Sequence, residues 1–282
     1  MGKLVLAAKI THVPSMYLSE RPGPDHGCRE AAIRGLAGIG ERLRDLRVDT
    51  VVVFDTHWRV NVGYHINAFA HAKGLFTSAE FPDFVQNMPY DVTGDPALAD
   101  AIAAAAAARG VEMHSHHLET LELAYGTILP MRYLDPERRL RAVPIAACCP
   151  WHEFDESRAV GAAVRAAAEA GEGRVAVLAS GSLSHRFHDN RDAAAGLSEV
   201  SSEFNRQVDL RVLELWTQGR FREFLAMLPE YARLCDGEGL MHDTAMLLGA
   251  LGWDAYKGRV EIVTDYFAAS GTGQVNAVFP LD

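Results

Sequence analysis

Residues 50–58, TVVVFDTHW, are a near-continuous apolar run that ends in Asp55 and His57. A strand that is apolar at nearly every position is buried on both faces, which is typical of a parallel sheet covered by helices. The same pattern recurs in KLVLAAKIT (3–11), LRAVPIAAC (140–148) and RVAVLASGS (174–182). Four such runs predict an α/β fold with a mostly parallel central sheet.

The segments between these runs have helical patterns, so we expect helices to flank the sheet. The predicted helices are 28–46, 95–110 and 155–171, followed by a mainly helical region from Ala193 to Trp253. Asp95 and Pro96 are a typical N-cap and first turn, and Gly110 is a typical helix stop.

Two other segments are interpreted from their turn residues and aromatic content. Residues 61–93 have few helix signals and many aromatic side chains, which predicts a long functional loop or lid. Residues 259–269 and 274–279 flank the turn sequence SGTG, which predicts a closing hairpin.

Length and charge limit the class of protein. The chain has 282 residues, and its 27 Lys and Arg against 37 Asp and Glu give a formal net charge of −10. This length favours one domain over 1–282, and the acidic balance argues against nucleic acid, so the expected partner is a small molecule. No apolar stretch is long enough to cross a membrane and no signal peptide is evident, so we expect a cytoplasmic protein without a membrane partner. The four cysteines lack metal-site spacing, which fits reduced thiols.

Histidines follow three of the predicted strands, at His12, His57 and His185. A single histidine after a strand is more often a capping or hydrogen-bonded residue than a ligand. Ligands of open α/β sheets bind outside the carboxyl ends of the strands, so the recurrence favours one shared site. His188 competes with His185 for the same role.

A pair of histidines with one carboxylate is the ligand set of non-haem Fe(II) oxygenases, which keep other coordination positions open. The candidate carboxylate is Glu238, between two glycines at the start of an apolar helix. Stabilisation of that helix N-terminus is an equally good interpretation of Glu238. Asp236 and Asp243 are rivals by position.

A second histidine cluster, HSHH, contains His114, His116 and His117. On a regular strand His114 and His116 share a face and His117 points away, so the three cannot all bind one ion. We interpret them as substrate-pocket or solvated residues, with zinc binding as the alternative. The chain has no GxSxG, P-loop, HExxH or post-strand GxGxxG motif, which argues against the commonest hydrolases, nucleotide-binding proteins and zinc proteases.

Five stretches together resemble the class III extradiol ring-cleaving dioxygenases. They are THVPSMYLSE (11–20), FDTHW (54–58), YGTILPMRYL (125–134), GSLSHRF (181–187) and GEGLMHDTAMLLGALGW (237–253). Each is weak alone, but their order and spacing are specific and extend over nearly the whole chain. The resemblance implies a single catalytic domain over residues 1–282.

The resemblance also implies the residues of the active site. His12, His57 and Glu238 would bind Fe(II), with Mn(II) as an alternative ion, and His185 would be the acid/base histidine. Tyr125 stands where the superfamily often has histidine before GT. A phenol can donate a hydrogen bond to an oxygen intermediate, but its ordinary pKa near 10 makes it a poor base.

The implied reaction is cleavage of a catechol ring by O₂ to give a muconic semialdehyde, with 3,4-dihydroxyphenylacetate (homoprotocatechuate) as the preferred substrate. Its carboxylate requires a cation or several donors, for which His114, His116, Arg186 and His188 are candidates. The resemblance further suggests a homo-oligomer. Two other hypotheses remain open at this point: a zinc-dependent hydrolase with the same ligands, and a non-enzymatic binding protein on the same fold.

Overall fold

A computed structural model describes residues 2–186 and 196–281, which form an α/β structure around one large sheet. The strands are β1 (Lys3–Ile10), β2 (Thr50–Arg59), β3 (Tyr64–Asn67), β4 (His71–Phe76), β5 (Met88–Gly94), β6 (Met113–His116), β7 (Arg141–Cys148), β8 (Arg174–Ser180), β9 (Glu261–Ala269) and β10 (Thr272–Phe279). The helices are α1 (Ser15–Glu20), α2 (Glu30–Asp45), α3 (Pro96–Ala107), α4 (Tyr125–Leu134), α5 (Phe154–Ala170), α6 (Glu203–Thr217), α7 (Phe221–Leu234) and α8 (His242–Leu251).

The centre of the sheet is parallel, as its apolar strands predict. The strand order is β4-β5-β7-β2-β8-β1-β10-β9, and β5, β7, β2, β8 and β1 all run in the same direction. The antiparallel pairs are β4 with β5, β3 with β7, and the closing β9–β10 hairpin, which joins the edge of β1. The mostly parallel sheet and the hairpin are therefore confirmed.

Helices cover both faces of the sheet and bury two hydrophobic clusters. One cluster packs α3, α5, α6, α7 and α8 against one face, and the other packs α2 and α4 against the opposite face. The predicted N-cap of α3 is present, because the Asp95 side chain accepts a hydrogen bond from the Leu98 N–H at 3.1 Å. Within residues 2–186 and 196–281 no helix is both long and apolar enough to span a membrane.

The prediction of a long loop over 61–93 is wrong, because this segment contains β3, β4 and β5. The strand signal was weak since β4 alternates between exposed and half-buried positions and carries His71, Lys73 and Gly74. Such an edge strand has too little apolar surface to stand out from a loop. What remains irregular is the connection 77–87 between β4 and β5.

The order of the central strands brings distant parts of the chain to one edge of the sheet. β2, β8 and β1 are adjacent and parallel, and Ser180 at the end of β8 is in register with Asp55 of β2 and Ile10 of β1. The segments that carry His12, His57 and His185 therefore leave the sheet side by side. This edge corresponds to the carboxyl ends of the strands, where ligands of α/β proteins bind.

Candidate metal centre

His12, His57 and Glu238 converge at this edge of the sheet. The Glu238 Oε1 atom lies 2.9 Å from His12 Nε2 and 3.4 Å from His57 Nε2. One potential ligand atom from each residue lies within 4.8 Å of the others, and no other group of this kind occurs in the part of the chain that the structure describes. His12 and Glu238 are buried, and the His57 side chain is 14% exposed.

A hydrogen bond fixes the orientation of His12 and the tautomer of its neutral ring. The Ser180 hydroxyl donates to the Gly126 carbonyl at 2.5 Å, and it therefore accepts from the His12 Nδ1–H, 2.9 Å away. In the neutral ring this leaves a lone pair on Nε2, directed at the negatively charged Glu238. Two electron-rich atoms 2.9 Å apart require either a proton or a metal cation between them. The donor set therefore fits a bound metal ion.

Glu238 is positioned by two donors at its own carboxylate. The Thr56 hydroxyl donates to Oε1 at 2.5 Å, and the Ser182 backbone N–H donates to Oε2. Burial disfavours the charged form, but the surrounding histidines, His12 first, outweigh burial and hold the Glu238 pKa well below its usual range. Glu238 is therefore an anion inside the protein, as a metal ligand must be.

The chain after Glu238 adopts an unusual backbone conformation. Gly239, Leu240 and Met241 all have left-handed φ angles, of 55°, 54° and 64°. This conformation costs free energy at residues other than glycine, and such strain accumulates at functional sites. The left-handed turn separates Glu238 from α8, so the Glu238 side chain enters the site while α8 packs into the core.

Asp243, the rival carboxylate, has a different partner. Its side chain forms a fully buried ion pair with Lys9 of β1, and its Oδ1 accepts from the Thr244 backbone N–H at 2.6 Å. It is not part of the group formed by His12, His57 and Glu238. The geometry therefore favours Glu238 over Asp243 as the carboxylate of this site.

His185 approaches Oε2 of Glu238, whereas His12 and His57 approach Oε1. Its Nδ1 is 3.3 Å from Glu238 Oε2 and 2.7 Å from the Ser182 hydroxyl. Burial lowers the pKa of His185 to about 4, so its imidazole is neutral at pH 7. A neutral imidazole beside the site can accept a proton from a substrate hydroxyl.

Tyr125, the first residue of α4, packs directly on His57 of the candidate ligand group. The centre of its ring is 3.8 Å from that of His57 and 5.6 Å from that of His12. Its hydroxyl donates to Glu80 Oε2 at 3.3 Å. Burial, with a further contribution from Glu80, raises the Tyr125 pKa well above 10, so the phenol stays protonated and acts as a donor.

A cavity opens over these residues and has walls of different character. Phe81 and Phe84, from the connection 77–87, form an apolar wall together with Val13 and Pro14. A polar wall of the same cavity contains Ser15, Ser270, Thr272 and Gln274. Aromatic and aliphatic side chains suit the faces of a benzene ring, and the polar wall suits a hydrophilic substituent.

Three of the residues proposed from sequence for the substrate carboxylate, His114, His116 and Arg186, do not line this cavity. His114 lies near Glu112, with 3.1 Å between Nε2 and Oε1, and His116 Nε2 is 2.7 Å from His65 Nδ1 on the neighbouring strand. Arg186 donates to Asp236 at 2.9 Å. His188 lies outside the described residues. The role of these four residues in substrate binding stays a prediction.

Sequence reasoning missed the residues that support the candidate ligands, namely Ser180, Thr56, Ser182 and Gly126. Ser180 and Ser182 belong to the turn before His185, and Thr56 precedes His57. Their proximity to candidate ligands was the available signal, since ligand histidines usually donate their second N–H to a nearby acceptor. Gly126 has no local signal: a Cβ there would meet Asp55 Oδ1 at 2.2 Å.

Comparison with known proteins identifies the family of this chain. Residues 6–280 match the family model of the catalytic LigB subunit of aromatic ring-opening dioxygenase. The chain is 54% identical over 260 residues to 3,4-dihydroxyphenylacetate 2,3-dioxygenase of Escherichia coli, covering 92% of this chain and 94% of that protein. It is 25% identical over 243 residues to the beta subunit of 2-aminophenol 1,6-dioxygenase of Pseudomonas sp, covering 82% and 79%.

A solved structure shares the fold. An uncharacterized protein from Escherichia coli K12 superposes with a TM-score of 0.65 at 17% sequence identity, covering 98% of this chain and 99% of the other. The family match covers nearly the whole chain and confirms the resemblance carried by the five sequence stretches. The chain therefore belongs to the extradiol ring-cleaving dioxygenases of the LigB family, which sets aside the hypotheses of a zinc hydrolase and of a non-enzymatic binding protein.

Proposed function

We propose that this protein is an Fe(II)-dependent dioxygenase that cleaves the ring of 3,4-dihydroxyphenylacetate with O₂ to give a muconic semialdehyde. The observation that carries the proposal is the convergence of His12, His57 and Glu238 beside a cavity with aromatic walls. An Fe(II) ion held by these side chains would supply redox chemistry with O₂ and open positions for the two catechol oxygens. Mn(II) is the second candidate ion, because imidazole and carboxylate ligands accept both metals.

The substrate is proposed from the relative named 3,4-dihydroxyphenylacetate 2,3-dioxygenase, with which this chain shares 54% identity. The cavity supports this choice, because its lining combines Phe81 and Phe84 with hydroxyl and amide groups. A substituted catechol placed between these walls would have apolar contacts along its ring and hydrogen-bond partners for its side chain.

The side chains around the metal ligands would control proton transfer. His185, neutral at pH 7 with a pKa of about 4, would accept a hydroxyl proton from the catechol and return it later. Tyr125, whose pKa is well above 10, would keep its proton and donate a hydrogen bond. Phe81 and Phe84 would exclude water from the reacting ring.

The test is anaerobic reconstitution with Fe(II), in parallel with Mn(II) and Zn(II), followed by addition of 3,4-dihydroxyphenylacetate and air. We expect stoichiometric O₂ uptake and a yellow product with Fe(II) or Mn(II), and neither with Zn(II). The variants His12→Ala and Glu238→Gln should bind less metal and lose O₂ uptake together. Wild-type protein that retains iron but consumes no O₂ with several catechols would contradict the proposal.

A further inference from the structure

Arg29, at the start of α2, is a buried cation without an anionic partner among the described residues. Its side chain is surrounded so completely that the residue is 5% exposed. Its Nε donates to the Ser15 hydroxyl at 2.8 Å, its Nη1 donates to the Ala268 carbonyl at 3.1 Å, and its Nη2 donates to the Leu197 carbonyl. All three acceptors are neutral. The Phe267 ring, whose centre is 5.5 Å from Cζ, is a further neutral neighbour. A guanidinium buried among neutral groups favours a nearby anion, and the described residues supply none.

The guanidinium lies directly behind the polar wall of the substrate cavity. Ser15 lines the cavity and is the acceptor for Arg29 Nε. Ala268, the acceptor for Nη1, precedes Ala269 and Ser270, which line the cavity as well. Arg29 therefore donates hydrogen bonds to two segments that contribute to the cavity lining. On the Ser15 side, only the Ser15 side chain separates its positive charge from the cavity.

The Ser15 hydroxyl is polarised by this charge and can donate a hydrogen bond to a ligand. Because its oxygen accepts a hydrogen bond from Arg29, its own proton is available for donation, and no acceptor for that proton is found among the described residues. A hydroxyl that accepts from a cation is polarised and becomes a stronger donor. Burial lowers the Arg29 pKa, yet a guanidinium keeps its proton in proteins, so the charge persists.

The cavity lacks a direct cationic contact, since no lysine or arginine of the described residues lines it. We propose that Arg29, acting through the Ser15 hydroxyl, recognises the carboxylate on the side chain of the substrate. The substrate class is then a catechol with an acidic side chain. This inference rests on the proposed function and names the specificity-determining residues for that site. Ser15 touches the substrate, and Arg29 is the positioning and charge-supplying residue behind it.

The experiment compares 3,4-dihydroxyphenylacetate with its neutral amide, 3,4-dihydroxyphenylacetamide, in the iron-loaded protein. The two substrates have the same shape, so the ratio of their kcat/KM values measures recognition of the negative charge. Since a hydrogen bond to a charged group contributes about 1.5–3 kcal/mol, we expect Arg29→Met to lower kcat/KM for the acid by roughly 10- to 100-fold and for the amide by less than about threefold. Equal losses for both substrates, or no loss for either, would overturn the inference.

Two further variants separate charge recognition from a general effect on folding. Ser15→Ala leaves Arg29 in place and removes only the hydroxyl, so it should lower the same ratio. Arg42→Met removes another arginine of α2, one that pairs with Glu261 at the surface, and should leave the ratio unchanged. If Arg29→Met does not fold, the inference is tested by the ratio of the kcat/KM values for acid and amide in wild type and in Ser15→Ala. A wild type that cleaves acid and amide equally well would overturn the inference.

Anaerobic equilibrium binding gives a readout that is independent of turnover. The Kd of the acid should rise in Arg29→Met and Ser15→Ala, while the Kd of the amide should stay within about threefold of wild type. If wild-type protein cleaves neither compound, the proposed function fails. If it cleaves both and Arg29→Met retains the wild-type ratio, only the role of Arg29 fails.

Discussion

The Ser180 hydroxyl lies 2.9 Å from Nδ1 of His12 and at the same time 2.5 Å from the carbonyl oxygen of Gly126. Ser180 belongs to β8, whereas His12 follows β1, so the contact depends on the parallel pairing of these strands. Because the hydroxyl donates to Gly126, it must accept from His12, and the free lone pair of His12 faces Glu238. One serine thus determines which nitrogen of His12 is available to a metal.

Ser180→Ala should weaken metal binding without unfolding the protein. Loss of the group that orients a ligand histidine typically costs about 10- to 100-fold in metal affinity, and we expect a reduction in this range. Affinity is measured by competition with a chelator of known strength. Ser157→Ala is the matched control, because Ser157 is also fully buried but bonds to His242 and Tyr64. Equal affinities for wild type and Ser180→Ala would show that Ser180 has no such role.

Gly239→Ala should disturb both stability and metal binding. Gly239 has a φ of 55°, and a Cβ there would meet the Ala147 carbonyl oxygen at 2.7 Å. A residue forced into such a conformation costs about 1–3 kcal/mol, and the shift needed to relieve the contact would move the adjacent Glu238. Chemical denaturation and chelator competition measure the two effects.

Gly110→Ala is the control for Gly239→Ala. Gly110 also has a positive φ, of 76°, but a Cβ there would meet nothing within 4 Å. It should reduce the free energy of unfolding and leave metal affinity at the wild-type value. If Gly239→Ala behaves in the same way, the left-handed turn does not position Glu238.

His185→Ala and Tyr125→Phe should separate catalysis from metal binding. Neither residue belongs to the group of potential ligands, so both variants should retain iron. Loss of a general acid/base lowers the rate by roughly 10²- to 10⁴-fold, which we expect for His185→Ala. Tyr125→Phe keeps the ring that packs on His57 and loses only a hydrogen-bond donor, so its defect should be smaller. A metal-free His185→Ala protein would assign His185 to the metal site instead.

Stability should decrease between about pH 6.5 and pH 4 because of His242. Burial lowers the pKa of His242 to about 4 in the folded protein, from 6.5 in the unfolded chain, and its Nδ1 lies 2.7 Å from the Ser157 hydroxyl. As the pH falls through this window, the unfolded chain binds a proton before the folded protein does. The stabilisation is therefore complete above pH 6.5 and lost by pH 4, a change of about 3 kcal/mol.

His242→Asn tests this pH dependence, since asparagine keeps a polar side chain near Ser157 but does not titrate. Denaturant titrations of wild type and variant at several pH values give the difference in the free energy of unfolding. This difference should shrink as the pH is lowered, because only the wild type loses stability through His242. A constant difference between pH 7 and pH 4 would contradict the prediction.

Several features were predictable because they depend on local sequence. The continuous apolar runs predicted buried parallel strands, since burial on both faces requires apolar residues at successive positions. The N-terminal cap of α3 at Asp95 followed from a local rule as well. By contrast, β4 alternates between exposed and half-buried positions, so its own sequence does not predict a strand. Its hydrogen bonds come from pairing with β5.

By itself, the sequence determined the fold class, the position of His12 and His57 at strand ends and the relationship to ring-cleaving dioxygenases. These depend on periodicity and on motifs that are contiguous in the chain. Only the tertiary structure favours Glu238 over Asp243 as the candidate ligand, because Lys9, 234 residues from Asp243, forms an ion pair with that carboxylate. It likewise placed Arg29 behind Ser15. Hydrogen bonds and charges act over a few ångströms in space, so the choice of partner depends on strand order and packing rather than on sequence spacing.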